Sequence, residues 1–224
     1  MKKLLSTVLL ASLAWTAPAL DQRLEQKAER LFSKLDAMQA KPDKRVPADV
    51  LKKAQAIVLL DRTKAGFIFA YQGGGGVAMV RDAKGRWSPL AWVKADEASL
   101  GFQIGGQQSF LVILFMNQAS AKTLIEDSTF EFGGEARGTG GNTSAGVEGK
   151  VDSVERAVLV YDDRSGLFGG AAVKGGAIAA DHNANRSYYG AELNMHEILF
   201  ERKVVPTGAA KALATKVEKF AKAG

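Results

Sequence analysis

Glycine placement limits the folds open to this chain more than any other feature. Of its 24 glycines, 22 lie between Gly66 and Gly190, so both ends are almost free of them. Glycine is poor in helices and collects at turns, bulges and places where one backbone approaches another. The distribution predicts a β-rich middle flanked by helices. The expected fold is therefore α+β: a mainly antiparallel sheet core, curved or barrel-like, with helices at both ends. With 46% hydrophobic residues the chain can bury a sizeable core, and having no Cys it does so without disulfides.

The N-terminus reads as an export signal rather than as part of the fold. Lys2 and Lys3 precede an apolar run over residues 4–15, and Ala17-Pro18-Ala19 supplies the small residues a signal peptidase requires. The run is too short for a bilayer span, which needs roughly 20 residues. The expected organisation is a signal peptide over 1–19, an amphipathic helix and linker over 20–46, and one domain over 47–224. That implies an exported protein of the periplasm or cell envelope, or one secreted beyond it.

Periodicity fills in the elements. Leu24, Ala28, Leu31, Leu35 and Met38 are spaced by four, three, four and three, which predicts a helix over 21–39 with one apolar stripe. A short helix begins near Pro47 and leads into the β-branched run 56–60. Strands are expected at 66–72 and 76–81, with the tract Gly73-Gly74-Gly75-Gly76 as their tight connection. Asp82-Ala83-Lys84-Gly85 is a turn, followed by strands at 86–93, 100–107 and 110–116. Asn117 caps a helix to about residue 126. After the glycine-rich stretch 133–149, strands resume at 158–161, 167–173 and 177–180. Tyr188-Tyr189 closes that block, and helices return at 192–200 and 208–221.

Residues for chemistry are few. His182 and His196 are the only histidines, and no ligand-spaced carboxylates surround them, so no metal site or other cofactor site is expected. Asp181-His182-Asn183 reads as a turn. There is no Gly-x-Ser-x-Gly elbow, and the tract at 73–76 lacks the Gly-Lys-Ser/Thr that completes a phosphate loop. A net charge of +6 is mildly basic, and no basic run is interleaved with aromatics, which argues against nucleic acid as a partner.

The middle of the chain carries a recognisable pattern. Lys64-Ala65-Gly66-Phe67, the glycine tract with Val77-Ala78-Met79-Val80-Arg81, and Gly85-Arg86-Trp87-Ser88-Pro89 stand in order. Leu100-Gly101-Phe102-Gln103-Ile104-Gly105-Gly106-Gln107, Ser165-Gly166-Leu167-Phe168-Gly169-Gly170 and Asp181-x-x-x-Asn185 with Tyr188-Tyr189-Gly190 follow. Together they closely resemble the SYLF domain, the Ysc84-type lipid- and actin-binding domain. One block departs: Ala145-Gly146-Val147-Glu148-Gly149-Lys150 stands where the family has Gly-Pro-x-Gly-Arg. The resemblance implies a non-enzymatic domain that binds lipid, with phosphoinositides bound by eukaryotic members and actin by the yeast branch. An exported bacterial protein would meet neither. The transferable expectation is binding of anionic phospholipid headgroups at a membrane surface, with no reaction catalysed.

A membrane-surface role needs cations for the phosphates and an apolar element to insert. Arg62 and Lys64, placed in a loop before Gly66, and Arg81, Lys84 and Arg86, around the turn at 82–85, are the expected headgroup contacts. Trp87 and Trp92 are the expected interfacial apolar residues, with core packing the equal alternative. The stripe of the first helix suits either docking on the sheet or lying in lipid. A structural or protein-interaction domain of the cell envelope and an exported hydrolase are the competing readings.

Overall fold

The structure is a computed structural model. It describes residues 21–66, 70–99, 107–122, 124, 130–132, 157–163, 166–168 and 176–223. The helices are α1 (Gln22–Gln39), α2 (Ala48–Lys53), α3 (Gln118–Lys122), α4 (His182–Tyr189), α5 (Met195–Leu199) and α6 (Gly208–Lys222). The strands are β1 (Ala56–Gly66), β2 (Ala70–Val80), β3 (Ala91–Ser99), β4 (Gln107–Phe115), β5 (Phe130–Phe132), β6 (Val158–Asp162), β7 (Gly166–Phe168) and β8 (Gly176–Ala180). They form one antiparallel sheet in the order β5-β8-β3-β2-β1-β4-β6-β7, open at β5 and β7 rather than closed into a barrel. The fold is α+β with helices at both ends of the chain.

The glycine tract is not a connection, as its composition suggests, but the middle of β2. Gly73 to Gly76 pair with Thr63 to Leu60 on one side and with Asp96 to Val93 on the other. A Cβ at Gly74 would lie 2.2 Å from the Asp61 carbonyl oxygen, and one at Gly76 would lie 2.0 Å from that of Leu59. The two strands approach more closely than any side chain allows, so the sequence there must be glycine. Two short strands predicted around the tract are therefore one long strand, and β1 runs on to Gly66. The predicted strand 86–93 is likewise divided: Trp87 makes an isolated bridge to Arg81, and β3 starts at Ala91. Of the expected strand at 100–107 only Gln107 is described, as the first residue of β4, and the block at 145–150 lies outside the described residues.

Helix α1 docks on the sheet with its stripe inward: Ala28, Leu31, Phe32, Leu35 and Met38 are buried. Its lysines reach the same sheet face. Lys34 pairs with Asp61 at 2.6 Å, and Lys27 lies over Gly75, with its amine 5.5 Å from the Trp92 ring centroid. Asp61 and Gly75 are cross-strand partners, and residues seven apart share a helix face. A Cβ at Gly75 would meet that Lys27 amine at 2.2 Å. The tract thus makes room for the neighbouring β1 backbone at Gly74 and Gly76 and for a lysine at Gly75.

The segment 181–190 is a helix, not a turn followed by a strand end. The Asp181 side chain caps it by accepting from the Ala184 N–H at 3.0 Å, and Gly190 ends it at φ 64°. Asn185, wholly buried, accepts from the Trp92 N–H at 2.7 Å and donates to the Trp92 carbonyl at 3.0 Å, as a neighbouring strand would. The Tyr188 hydroxyl donates to Glu25 and lies 2.8 Å from Thr207 Oγ1, joining α1, α4 and the start of α6. Burial and the Glu25 carboxylate both push that phenol's pKa upward. The Asp-x-x-x-Asn and Tyr-Tyr-Gly residues thus hold the fold together.

Two neighbouring glycines should behave differently. Gly76→Ala must displace backbone and is expected to cost about 3 kcal/mol or more. Gly75→Ala has only to move the end of the Lys27 side chain and should cost under about 1 kcal/mol. Urea unfolding midpoints of the two variants check this.

Candidate binding surface

Beyond Val80 the chain turns over 82–86 around one carboxylate. The Asp82 side chain accepts from the backbone N–H of Lys84 at 2.9 Å and of Arg86 at 2.8 Å, and from Arg86 Nε at 2.9 Å. Gly85, at φ 79°, is in the left-handed region, with nothing near its absent Cβ. Lys84 and Arg86 are exposed at the tip. The hydrogen bonds from Arg86, aided by the charges of Arg202 and Arg86, hold the Asp82 carboxyl below the ordinary aspartate pKa. Arg202 reaches this turn from the connection between α5 and α6, donating to the Arg86 carbonyl at 2.7 Å and pairing with Asp82 at 3.2 Å. Arg81, half-buried, donates to the Lys52 carbonyl at 2.7 Å and stacks its guanidinium 4.5 Å from the Trp87 ring centroid. Burial lowers its pKa and the nearby Glu218 offsets this, and an arginine remains a cation under such a shift.

The five basic residues singled out in the sequence do not form one face. Arg81, Lys84 and Arg86 are together at the turn. Arg62 and Lys64 are in β1 rather than a loop, and Ala56, not they, is opposite Val80. Six residues of strand place Arg62 about 20 Å from that end of the sheet. Arg62 is also only 5% exposed and already engaged within the protein. It belongs to the interior of the sheet because β1 continues through it with unbroken pairing to both neighbours.

The tryptophans are not interfacial. Trp92 is 0% and Trp87 7% exposed. Trp92 packs edge-on against Tyr188 at 5.5 Å between ring centroids and lies beneath α1. Trp87 is covered by Arg81.

Other cations, which the sequence does not single out, complete the turn surface. Lys52 and Lys53 are exposed at the end of α2 beside Arg81, and Lys203 follows Arg202. Around the turn Arg86 and Arg202 pair with Asp82, Lys203 is shared by Glu197 and Glu201, Arg81 is near Glu218, and Lys52, Lys53 and Lys84 are exposed. No local motif reports this, because Arg202 and Arg86 are 116 residues apart. Both histidines lie at the surface. His196 Nδ1 pairs with Glu201 at 2.9 Å and its ring stacks on Phe200. Among the described residues no group of side chains suits a metal ion, and no helix is long and apolar enough to cross a membrane.

A family model described as Ysc84, Las17-binding protein actin regulator, matches residues 96–220, more than half of the chain. SH3 domain-containing YSC84-like protein 1 of Xenopus laevis is 30% identical over 188 residues, covering 82% of this chain and 56% of the relative. The chain belongs to the Ysc84 family. The Homo sapiens protein of the same name is 30% identical over 71% of this chain and 47% of its own length. LAS seventeen-binding protein 3 of Saccharomyces cerevisiae is 31% identical over 71% of this chain and 36% of its own length. This Ysc84 chain therefore spans about half the length of the curated relatives it matches, and less of the yeast one. No solved structure matches it. The family is one of binding and regulator proteins.

The turn's electrostatics can be read directly. In Arg86→Gln the carboxyl of Asp82 should titrate closer to the ordinary aspartate value, seen by NMR titration of its side-chain carbon. Because the folded-state value is the lower one, the Asp82 contribution is complete at neutral pH and fades as acid protonates the group.

Proposed function

We propose that this protein is a non-enzymatic, exported domain that binds anionic phospholipid headgroups at a membrane surface of the cell envelope. The observation that carries the proposal is the set of exposed cations around the turn at 82–86, drawn from the end of α2, the turn itself and the α5–α6 connection. Membrane attraction of this kind is worth about 1 kcal/mol per well-placed Lys or Arg, so the surface supplies binding without a deep pocket. The headgroup contacts are Lys84 and Arg86, joined by Lys52, Lys53, Arg202 and Lys203. Arg62 and the two tryptophans, being buried, are not part of the site, and Lys64 is left far from this surface by its position in β1.

The family's character as one of binding and regulator proteins supports a binding role. A second reading is supported by the name of the yeast relative and the description of the family model, which denote binding to Las17: in it the same surface serves a protein partner of acidic chemistry.

Flotation with vesicles tests the lipid reading. The protein should rise with vesicles containing about one-third phosphatidylglycerol and stay behind with phosphatidylcholine alone. Raising salt to about 0.5 M, where screening lengths are only a few Å, should release it. The double variant Lys52→Glu with Lys84→Glu should weaken binding at least about tenfold. If both kinds of vesicle leave the protein in solution at low salt, the lipid reading fails. Export is checked separately: protein recovered from the cell envelope should begin at Leu20.

A further inference from the structure

The connection from α5 to α6 holds an apolar side chain in water beside these cations. Val205 is 80% exposed, the one large hydrophobic residue among the described residues that is so open. A single exposed valine is ordinary on a protein surface. What distinguishes this one is how firmly its loop is held.

Arg202 has φ 56°, the left-handed region that a non-glycine residue seldom adopts. The bend returns the Lys203 N–H to the Glu197 carbonyl at 2.9 Å and closes the end of α5. The Arg202 side chain is fastened at the same time to the Arg86 carbonyl and to Asp82. Lys203 Nζ is shared between Glu197 at 2.7 Å and Glu201 at 3.1 Å. At the other end Thr207 caps α6 and meets the Tyr188 hydroxyl at 2.8 Å. Val204 turns inward against the core. Val205 is left outward on a loop anchored at both sides, and backbone strain kept by such over-determined contacts collects at functional positions.

We infer that Val205 is the apolar anchor of this surface: it enters the acyl boundary of an anionic bilayer while Lys84, Arg86 and Arg202 meet the phosphates beside it. The inference rests on the phospholipid reading and adds an orientation to it, with the α5–α6 connection and the turn at 82–86 facing the membrane together and α1 remaining on the sheet. The local set of exposed cations selects an anionic bilayer as the occupant. The loop is anchored on both sides by these contacts, which limits the conformational freedom lost when Val205 is buried.

The chain has no Cys, so a single engineered thiol can carry a polarity-sensitive fluorophore at a chosen place. The full chain with Val205→Cys, labelled, should brighten and shift to the blue with vesicles of phosphatidylcholine and about one-third phosphatidylglycerol. A label at Glu29→Cys, exposed on α1, should not respond. Unlabelled Val205→Asp should bind the same vesicles about tenfold more weakly than the parent chain. Vesicle binding with no response at 205, or with equal responses at 205 and 29, overturns the orientation but leaves the lipid reading standing. A Val205→Asp variant that binds as well as the parent overturns the anchor in the same way. If neither the parent chain nor any variant floats with anionic vesicles, both inferences are lost.

Discussion

The approach of β2 to β1 at Gly74 and Gly76 is the contact around which the rest of the molecule is arranged. Without side chains at these positions the two longest strands run together through their full pairing. Their opposite ends then set the positions of everything else. One end delivers the chain through Arg81 into the Asp82 turn. The other carries Arg62 and Lys64 away from it. Because close backbone approach is tolerated by glycine alone, a side chain at Gly74 or Gly76 would be driven into a carbonyl group of β1.

The same strand seats the N-terminal helix. Lys27 over Gly75 and Trp92, Lys34 on Asp61, and Glu25 on Tyr188 fix α1 at points along its length. Lys216 on Asp36 at 2.5 Å adds α6 to the arrangement. A helix with these polar ties and a buried apolar stripe would lose both if it left the sheet for a bilayer. That makes the turn side of the molecule, and not the helix, the natural place to look for surface chemistry. Arg202 is the piece that unites that side, since its side chain crosslinks two segments far apart in sequence and its backbone holds the α5–α6 connection in shape.

The residues that resemble the SYLF signatures acquire physical roles once the fold is known. The glycine tract permits a strand contact. Asp181, Asn185, Tyr188 and Gly190 cap, dock, tie and end α4 in turn. Gly85 takes the left-handed position of the turn. These assignments concern architecture rather than ligand contact.

Alternation and helical spacing are local properties. For that reason α1, α2, α6, the start of β1 and the strands β4, β6 and β8 were legible in the residues themselves, as was the division into helical ends and a β-rich middle. The turn at 82–85 was legible too, because aspartate and glycine impose it within four residues. The sequence alone could not tell a glycine connection from a glycine strand, since both want a residue without a Cβ and only the neighbour's carbonyl oxygens distinguish them. Nor could it separate a tryptophan under a helix from one at a surface, or bring Arg202 to Arg86. Burial and charge convergence are sums over residues distant along the chain, and only the folded backbone performs that sum.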